Sequence, residues 1–489
     1  MTRAVLGVDI GTSTSKGILV DPAGRILAQA ERAHRPEYPR PGHVEMDAAI
    51  WWREFTELSR ELTGGTDARV EAVGVSGMGP CTLLTDEAGT PLRPAILYGV
   101  DTRAATQIRR LTDRYGAAEI VERCGSALTS QAVGPKLAWL AEHEPAAFAA
   151  TRRLFMPSSY LVWRLTGEYV LDHHSASQAV PLYDRAAGTW YRPWWDGLAG
   201  GIEPPRLRWS GEIAGTVGSA ASADTGLPAG TPVVTGTVDA WAEAVSVGAL
   251  QPGDLMLMYG TTMFLIAAVR EAMAAPPLWG TAGVWPGSHC LAAGMATSGA
   301  VTNWLHELLG TGYDELLAAA RESGPGARGL LMLPYFAGER TPIDDPLARG
   351  VIAGLTLSHT AGDVYRAVLE ATALGVRHNL EAFAPAGVDR IVAVGGGTRG
   401  GLWTQLVSDI TGRTQQLPTH AVGASFGSAF LAASAIGGPS IDTWNPPAGK
   451  VRPRAELRAG YDDLYRLYRE LHERTAAVQH ALAERQQNT

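Results

Sequence analysis

Two apolar runs near the start of the chain, Ala4-Val5-Leu6-Gly7-Val8 and Gly17-Ile18-Leu19-Val20, flank the polar stretch Asp9-Ile10-Gly11-Thr12-Ser13-Thr14-Ser15-Lys16. Apolar arms around a Gly, Thr and Ser tip predict a buried β-hairpin. A third strand over 26–30, a helix over 48–63 and a strand over 70–75 follow. The order strand, strand, strand, helix, strand predicts a mixed sheet and not a plain βαβ alternation. Helical patterning returns over 103–115, 136–142 and 158–166, punctuated by Gly and Pro. Residues 190–208, rich in Pro, Trp and Gly, read as an irregular surface excursion.

The hairpin pattern recurs far downstream, where Asp254-Leu255-Met256-Leu257-Met258-Tyr259 leads through Gly260-Thr261-Thr262 into Met263-Phe264-Leu265-Ile266. Two such units predict a duplicated domain, each half offering one loop to a ligand in the cleft between them. The boundary falls near Gly248, giving domains 1–248 and 249–489. The second half carries helices over 300–309 and 363–383 and a strand over 390–394. A final helix has Tyr461, Leu464, Tyr468, Leu471, Thr475, Val478 and Leu482 at alternating spacings of three and four. That stripe could pair two copies as a coiled-coil homodimer, but with Thr in the seam packing against its own domain is the favoured reading.

Composition narrows the class. A chain of 489 residues exceeds one core, and 46% hydrophobic with 18% charged residues describes a soluble globular protein. A net charge of -8 and no basic run argue against a nucleic-acid or anionic-membrane surface. The three cysteines, Cys81, Cys124 and Cys290, are scattered, which fits a reducing cytoplasm. The start runs into a strand without a signal-like stretch, and no segment approaches the ~20 apolar residues of a membrane span.

The hairpin tip carries the first candidate chemistry. Its backbone N–H groups and hydroxyls can cradle phosphate oxygens, Asp9 can hold Mg2+ directly or through water, and Lys16 can neutralise charge. A plain turn is the alternative, because Asp and Gly favour turns. Gly395-Gly396-Gly397-Thr398-Arg399-Gly400 has the spacing G-x-G-x-x-G, follows a strand and opens a helix through about Gly412. A dinucleotide site needs an acid after the next strand, where this chain has Gln415, Gln416 and Leu417. Mononucleotide binding is therefore better supported, with a ligand-free turn as the alternative. Asp239 follows the strand over 232–235 and the turn Gly236-Thr237-Val238, and precedes a helical stretch over 240–247. It reads as an N-cap, and a carboxylate kept ionised there could also accept a proton from a substrate hydroxyl. The adjacent His173 and His174 lack a companion ligand cluster and read as loop or pocket residues.

Taken in order, several segments resemble the FGGY carbohydrate kinases, of the superfamily that includes actin, hexokinase and the heat-shock chaperone ATPases. They are Val8 to Ser13, Pro94-Ala95-Ile96-Leu97 with Asp101-Thr102-Arg103, Pro135-Lys136-Leu137-Ala138-Trp139, Tyr160 to Glu168, the Gly236 to Asp239 turn, Gly260-Thr261-Thr262, Pro334 to Pro342 and Gly395-Gly396-Gly397. The nearest likeness is to xylulokinases and related pentulose kinases. The resemblance implies an α/β fold of two duplicated actin-like (ribonuclease H-like) domains with a central nucleotide cleft. It implies ATP and Mg2+ as cofactors and a small sugar or polyol as the partner molecule. Asp9 would sit at the metal and phosphates, and Gly11, Thr12, Ser13 and Lys16 would line the first phosphate loop. Gly260, Thr261 and Thr262 would line the second, with Gly396 and Gly397 at the nucleotide. Asp239 matches the catalytic base, and Met78, Gly79, Asp101, Arg103 and Asp239 fall at the sugar pocket, although Arg103 also suits a surface ion pair.

Three departures bear on the sugar. Gly77-Met78-Gly79-Pro80 stands where xylulokinases have Gln-Met-His-Gly, Tyr98-Gly99-Val100 carries an extra residue before Asp101, and Ala240 follows the base where Asn or Gln is usual. The expected activity is ATP-dependent phosphorylation of a ketopentose, with another ketose or polyol of ribulose, glycerol or erythritol type as the alternative. A nucleotide-switched non-enzymatic protein is disfavoured by the candidate base, and an NAD-dependent oxidoreductase by the missing ribose acid.

Overall fold

The computed structural model describes residues 2–487. The chain divides into two compact units, but not into contiguous halves at Gly248. The first unit runs to Leu250 and also takes Arg270–Cys290 and Val422–Pro446; the second takes Gln251–Val269, Leu291–Ala421 and the chain from Pro447 onward.

In the first unit the predicted hairpin forms from Thr2–Ile10 and Thr14–Val20. The sheet order is Ile213–Thr216, Pro232–Val234, Ala68–Gly77, Thr2–Ile10, Thr14–Val20, Ile26–Ala33. Ala68–Gly77 runs parallel to Thr2–Ile10, so the sheet is mixed as the element order predicts. Register sets Asp9 opposite Lys16 on one side and Ser76 on the other. The second unit repeats this plan. Asp254–Tyr259 pairs antiparallel with Met263–Val269 and parallel with Arg390–Val394, and Gln415–Pro418 and Pro447–Val451 extend the sheet beyond.

A helix from the C-terminal half, Ala424–Ala435, explains why contiguous halves fail. It is apolar or small nearly all round, and a helix without a polar face must be buried. It lies on the first sheet at glycines. A Cβ at Gly7 would sit 2.1 Å from the Ser425 carbonyl oxygen, and one at Gly74 1.9 Å from that of Ser428. On another side, a Cβ at Gly427 would meet the Ala242 carbonyl oxygen at 1.8 Å.

Two further expectations change. Residues 190–208 hold a helix, Arg192–Ala199, and a strand, Arg206–Arg208, with Trp190, Trp194, Trp195 and Leu198 buried in one apolar cluster. Their Trp content is core and not surface. In the final helix, Arg458–Gln487, the buried stripe is Tyr461, Tyr465, Tyr468, Gln479 and Ala483, while Val478 and Leu482 are exposed. Tyrosines bury more area than the leucines beside them and find partners for their hydroxyls, Tyr468 at Tyr335 (2.8 Å) and Tyr465 at Glu381 (2.7 Å).

Gly74→Ala should therefore destabilise the protein by about 1–3 kcal/mol, the usual cost of overpacking against backbone. The check is a lowered melting temperature; an unchanged one would mean that the helix is not seated on that strand.

Candidate active site

The first-unit site starts at the hairpin tip. Gly11 N–H donates to the Thr14 carbonyl at 3.1 Å, closing a short turn that leaves Thr12 and Ser13 at its apex. Asp9 is the penultimate residue of the first strand and is half-buried; its Oδ1 accepts from the Ser76 hydroxyl at 2.8 Å, and Ser76 accepts from the Ser428 hydroxyl at 2.9 Å. Neither serine was singled out in the sequence. Ser428 lies 352 residues from Ser76 and reaches it only because helix Ala424–Ala435 docks at Gly74. Thr12 Oγ1 lies 2.9 Å from the Tyr98 hydroxyl. The Tyr98 segment is held by buried Lys136, whose Nζ donates to the carbonyls of Leu97 (2.7 Å) and Tyr98 (3.2 Å), and whose pKa burial lowers to about 8.

Asp239 opens helix Asp239–Ser246, with Val238 and not Asp239 in the cap position. Its Oδ1 accepts from the Ala240 N–H at 2.7 Å. Behind it, buried Asp172 Oδ2 accepts from the hydroxyls of Thr237 (2.8 Å) and Ser210 (3.0 Å), which pins the turn carrying Asp239. His173 and His174 follow directly and serve packing. His174 is buried, donates from Nδ1 to the Ala282 carbonyl at 2.7 Å and packs on Trp241.

A further carboxylate, Glu243, stands one turn along the Asp239 helix, on the same face. The i, i+4 spacing was the available signal for it. Loss of solvent raises the Asp9 carboxyl above its usual range, the Asp239 charge raises it further, and the Ser76 hydrogen bond opposes. Loss of solvent raises Asp239 too, against the Ala240 N–H. Glu243 is pushed up to about 7, first by desolvation and then by the Asp239 charge. Lys16 opposes these shifts only in part, and carboxyls raised by each other's charge fit a site completed by a further cation. Among the described residues no group of three or more His, Cys, Asp or Glu is arranged to hold a metal ion unaided. Mg2+ takes one or two carboxylates and fills its shell with water and phosphate, and Asp9 is the carboxylate set beside the hairpin tip.

The expected sugar-pocket residues fall into two groups. Met78 is buried, its N–H bonded to the Ile10 carbonyl at 2.8 Å. Gly79 is half-buried, and a Cβ there would lie 2.8 Å from Cγ2 of Val238, so the valine fills the space a side chain at 79 would need. Asp101 and Arg103 form a buried ion pair at 2.7 Å, both side chains 0% exposed. Arg103 also pairs with Glu45 at 2.7 Å and lies over the Trp139 ring, which is not the surface ion pair considered for it.

In the second unit, the Gly260, Thr261 and Thr262 turn is tied to the start of helix Gly299–Leu309. Gly299 N–H donates to the Gly260 carbonyl at 3.1 Å and Ala300 N–H to that of Thr261 at 3.0 Å. Past Arg390–Val394, Gly395 has φ +93, and a Cβ there would strike the Tyr259 carbonyl at 2.5 Å. A Cβ at Gly397 would press on Trp403 at 2.8 Å. Gly396 differs: it is exposed, and a Cβ there would meet nothing within 4 Å. The helix that follows is Leu402–Thr411.

Residues 4–246 match the model of the FGGY family of carbohydrate kinases, N-terminal domain, and residues 255–436 match that family's C-terminal domain. The chain is 31% identical to a xylulose kinase of Streptomyces rubiginosus over 92% of this chain and 93% of that protein. It is also 31% identical to a glycerol kinase of Nocardia farcinica, over 89% of this chain and 91% of that one. Among solved structures, xylulose kinase from Rhodospirillum rubrum superposes with a TM-score of 0.90 at 33% identity, covering 98% of this chain and 100% of that one.

Two outcomes follow from the geometry. A carboxyl whose folded pKa is raised binds protons more tightly folded than unfolded, so its stability contribution is full below the unfolded pKa and is lost as pH rises through the folded one. For Glu243 that window runs from 4.5 to about 7. The melting temperature of Glu243→Gln, relative to the unsubstituted protein, should rise between pH 4.5 and pH 8, and a difference independent of pH would contradict the shift. Gly396→Val should leave the melting temperature nearly unchanged while weakening ATP binding by about tenfold or more, because the position has room but a ligand would need it. Unaltered ATP affinity by calorimetry would remove Gly396 from the nucleotide site.

Proposed function

Because the chain belongs to the FGGY family of carbohydrate kinases, we propose that it transfers the γ-phosphoryl group of ATP to a hydroxyl of a free ketopentose in the cytoplasm. The observation that carries this reading is that Asp9, beside a phosphate-type hairpin tip, and Asp239, at the start of a helix, are near enough in the first unit for the Asp239 charge to raise the Asp9 carboxyl. Bound with the nucleotide, Mg2+ would neutralise phosphate charge, with Asp9 as its protein ligand.

The chain's own groups supply the rest. Asp239 accepts the proton of the attacking hydroxyl, and the desolvation that raises its pKa makes it a better acceptor than a solvated aspartate. Lys16 and the Thr12 and Ser13 apex stabilise negative charge on the transferring group. Gly260, Thr261, Thr262, Gly396 and Gly397 serve the nucleotide, and Met78 and Gly79 the sugar. Asp101 and Arg103 support the pocket wall from behind, in keeping with their burial.

A second reading, a polyol or differently configured ketose as acceptor, draws on two observations. Val238 occupies the space of a side chain at position 79, and Ala240 offers no side-chain hydrogen bond beside the base. A missing hydrogen-bond partner costs about 1 kcal/mol or more in discrimination. ADP release across ketopentoses, aldoses and polyols, reported as kcat/KM at saturating ATP, decides between the readings. Xylulose leading by a wide margin favours the ketopentose, and no pentulose or polyol activity refutes both. Asp239→Asn should lower kcat by about 100-fold or more with ATP binding kept; near-normal turnover would remove Asp239 as the base.

A further inference from the structure

We propose that His34 and Glu54 form a clamp that holds the first phosphate loop in an anion-accepting shape, which makes His34 a positioning residue for the nucleotide. His34 follows the third strand, Ile26–Ala33, and Glu54 lies on the buried face of helix Ala48–Gly64. His34 Nε2 lies 3.0 Å from the Gly11 carbonyl oxygen, and Nδ1 lies 2.9 Å from Glu54 Oε2. Both side chains are 4% exposed.

The chemistry of the partners fixes the arrangement. A backbone carbonyl only accepts, so Nε2 carries a proton and donates it to Gly11. One more proton lies between Nδ1 and Glu54; whichever atom holds it, the ring stays oriented. The His34 N–H donates to the Ser13 carbonyl at 3.0 Å, and the Thr14 carbonyl accepts from Gly11 N–H at 3.1 Å. The carbonyls of Gly11, Ser13 and Thr14 are thus all committed to protein donors. Those oxygens are the groups that would repel a phosphate; backbone N–H groups occupy two of them, and the His34 ring, held by Glu54, occupies the third, at Gly11.

Strand pairing alone already closes the hairpin. A buried polar pair is costly to assemble, and setting it on the loop's carbonyl side is better explained by loop shape than by hairpin stability.

The clamp is tested by calorimetric titration with MgADP, alongside steady-state kinetics and melting temperature. The inference rests on the kinase reading for the identity of the anion, but the titration does not need turnover. If no acceptor elicits ADP release from the unsubstituted protein, the kinase reading fails while MgADP binding still decides the clamp. His34→Phe should weaken MgADP binding about tenfold or more, the effect of losing one well-placed hydrogen bond, and should lower kcat while leaving the acceptor KM within about twofold. His34→Gln, whose amide N–H can still reach the Gly11 carbonyl, should recover most of the nucleotide affinity. Unchanged MgADP affinity in folded His34→Phe, equal loss of nucleotide and acceptor affinity, or a Gln variant no better than Phe would each overturn the proposal. If His34→Phe does not fold, Glu54→Leu, which offers Nδ1 no hydrogen-bond partner and frees the ring to turn, takes its place. It should weaken MgADP binding measurably in the folded protein, and unaltered affinity there would overturn the clamp.

Discussion

Glycines at 7, 74 and 427 set the distance between helix Ala424–Ala435 and the rest of the first unit. Backbone meets backbone there, with no Cβ to hold the surfaces apart, and the energy comes from dispersion and apolar burial over a close contact. The active-site side of the unit depends on this approach. Ser428 reaches Ser76, which donates to Asp9, and the contact at Gly427 seats the helix that begins with Asp239. One packing distance therefore governs both acidic residues of the proposed chemistry.

The electrostatics follow from that geometry. Asp9, Asp239 and Glu243 are all raised by loss of solvent, the Asp239 charge adds to the shifts of the other two, and hydrogen bonds from Ser76 and Ala240 with the Lys16 charge offset only part of the cost. Such an arrangement is tolerable where a cation and phosphates complete it, which couples ligand binding to local stability. Asp172 beneath the turn and Lys136 beneath the Tyr98 segment do different work. They are buried, committed to several partners, and hold the loops that carry the exposed groups.

Much of the fold and site was legible because local rules acted on contiguous residues. The apolar arms around Gly11 to Ser13 made a hairpin, the second copy around Gly260 to Thr262 made another, and the strands expected over 70–75 and 390–394 formed, each joining its hairpin as a parallel neighbour. The misreadings came where burial overrode composition. Tryptophans at 190–195 in a Pro- and Gly-rich stretch fill a core, and in the last helix Tyr461 and Tyr468 are buried as expected while Tyr465, Gln479 and Ala483 are buried in place of Val478 and Leu482.

The sequence by itself determined the two hairpins, the candidate base at the start of its helix and the family likeness, because each is written in a short run of residues whose conformation is local. Tertiary structure alone decided which distant residues complete the site. Ser428 and Ser76 come together across 352 positions, and His34 meets Glu54 and Gly11. Nothing in the local sequence of a serine or histidine encodes such a partner, since pairing depends on where docked helices and strand ends come to rest.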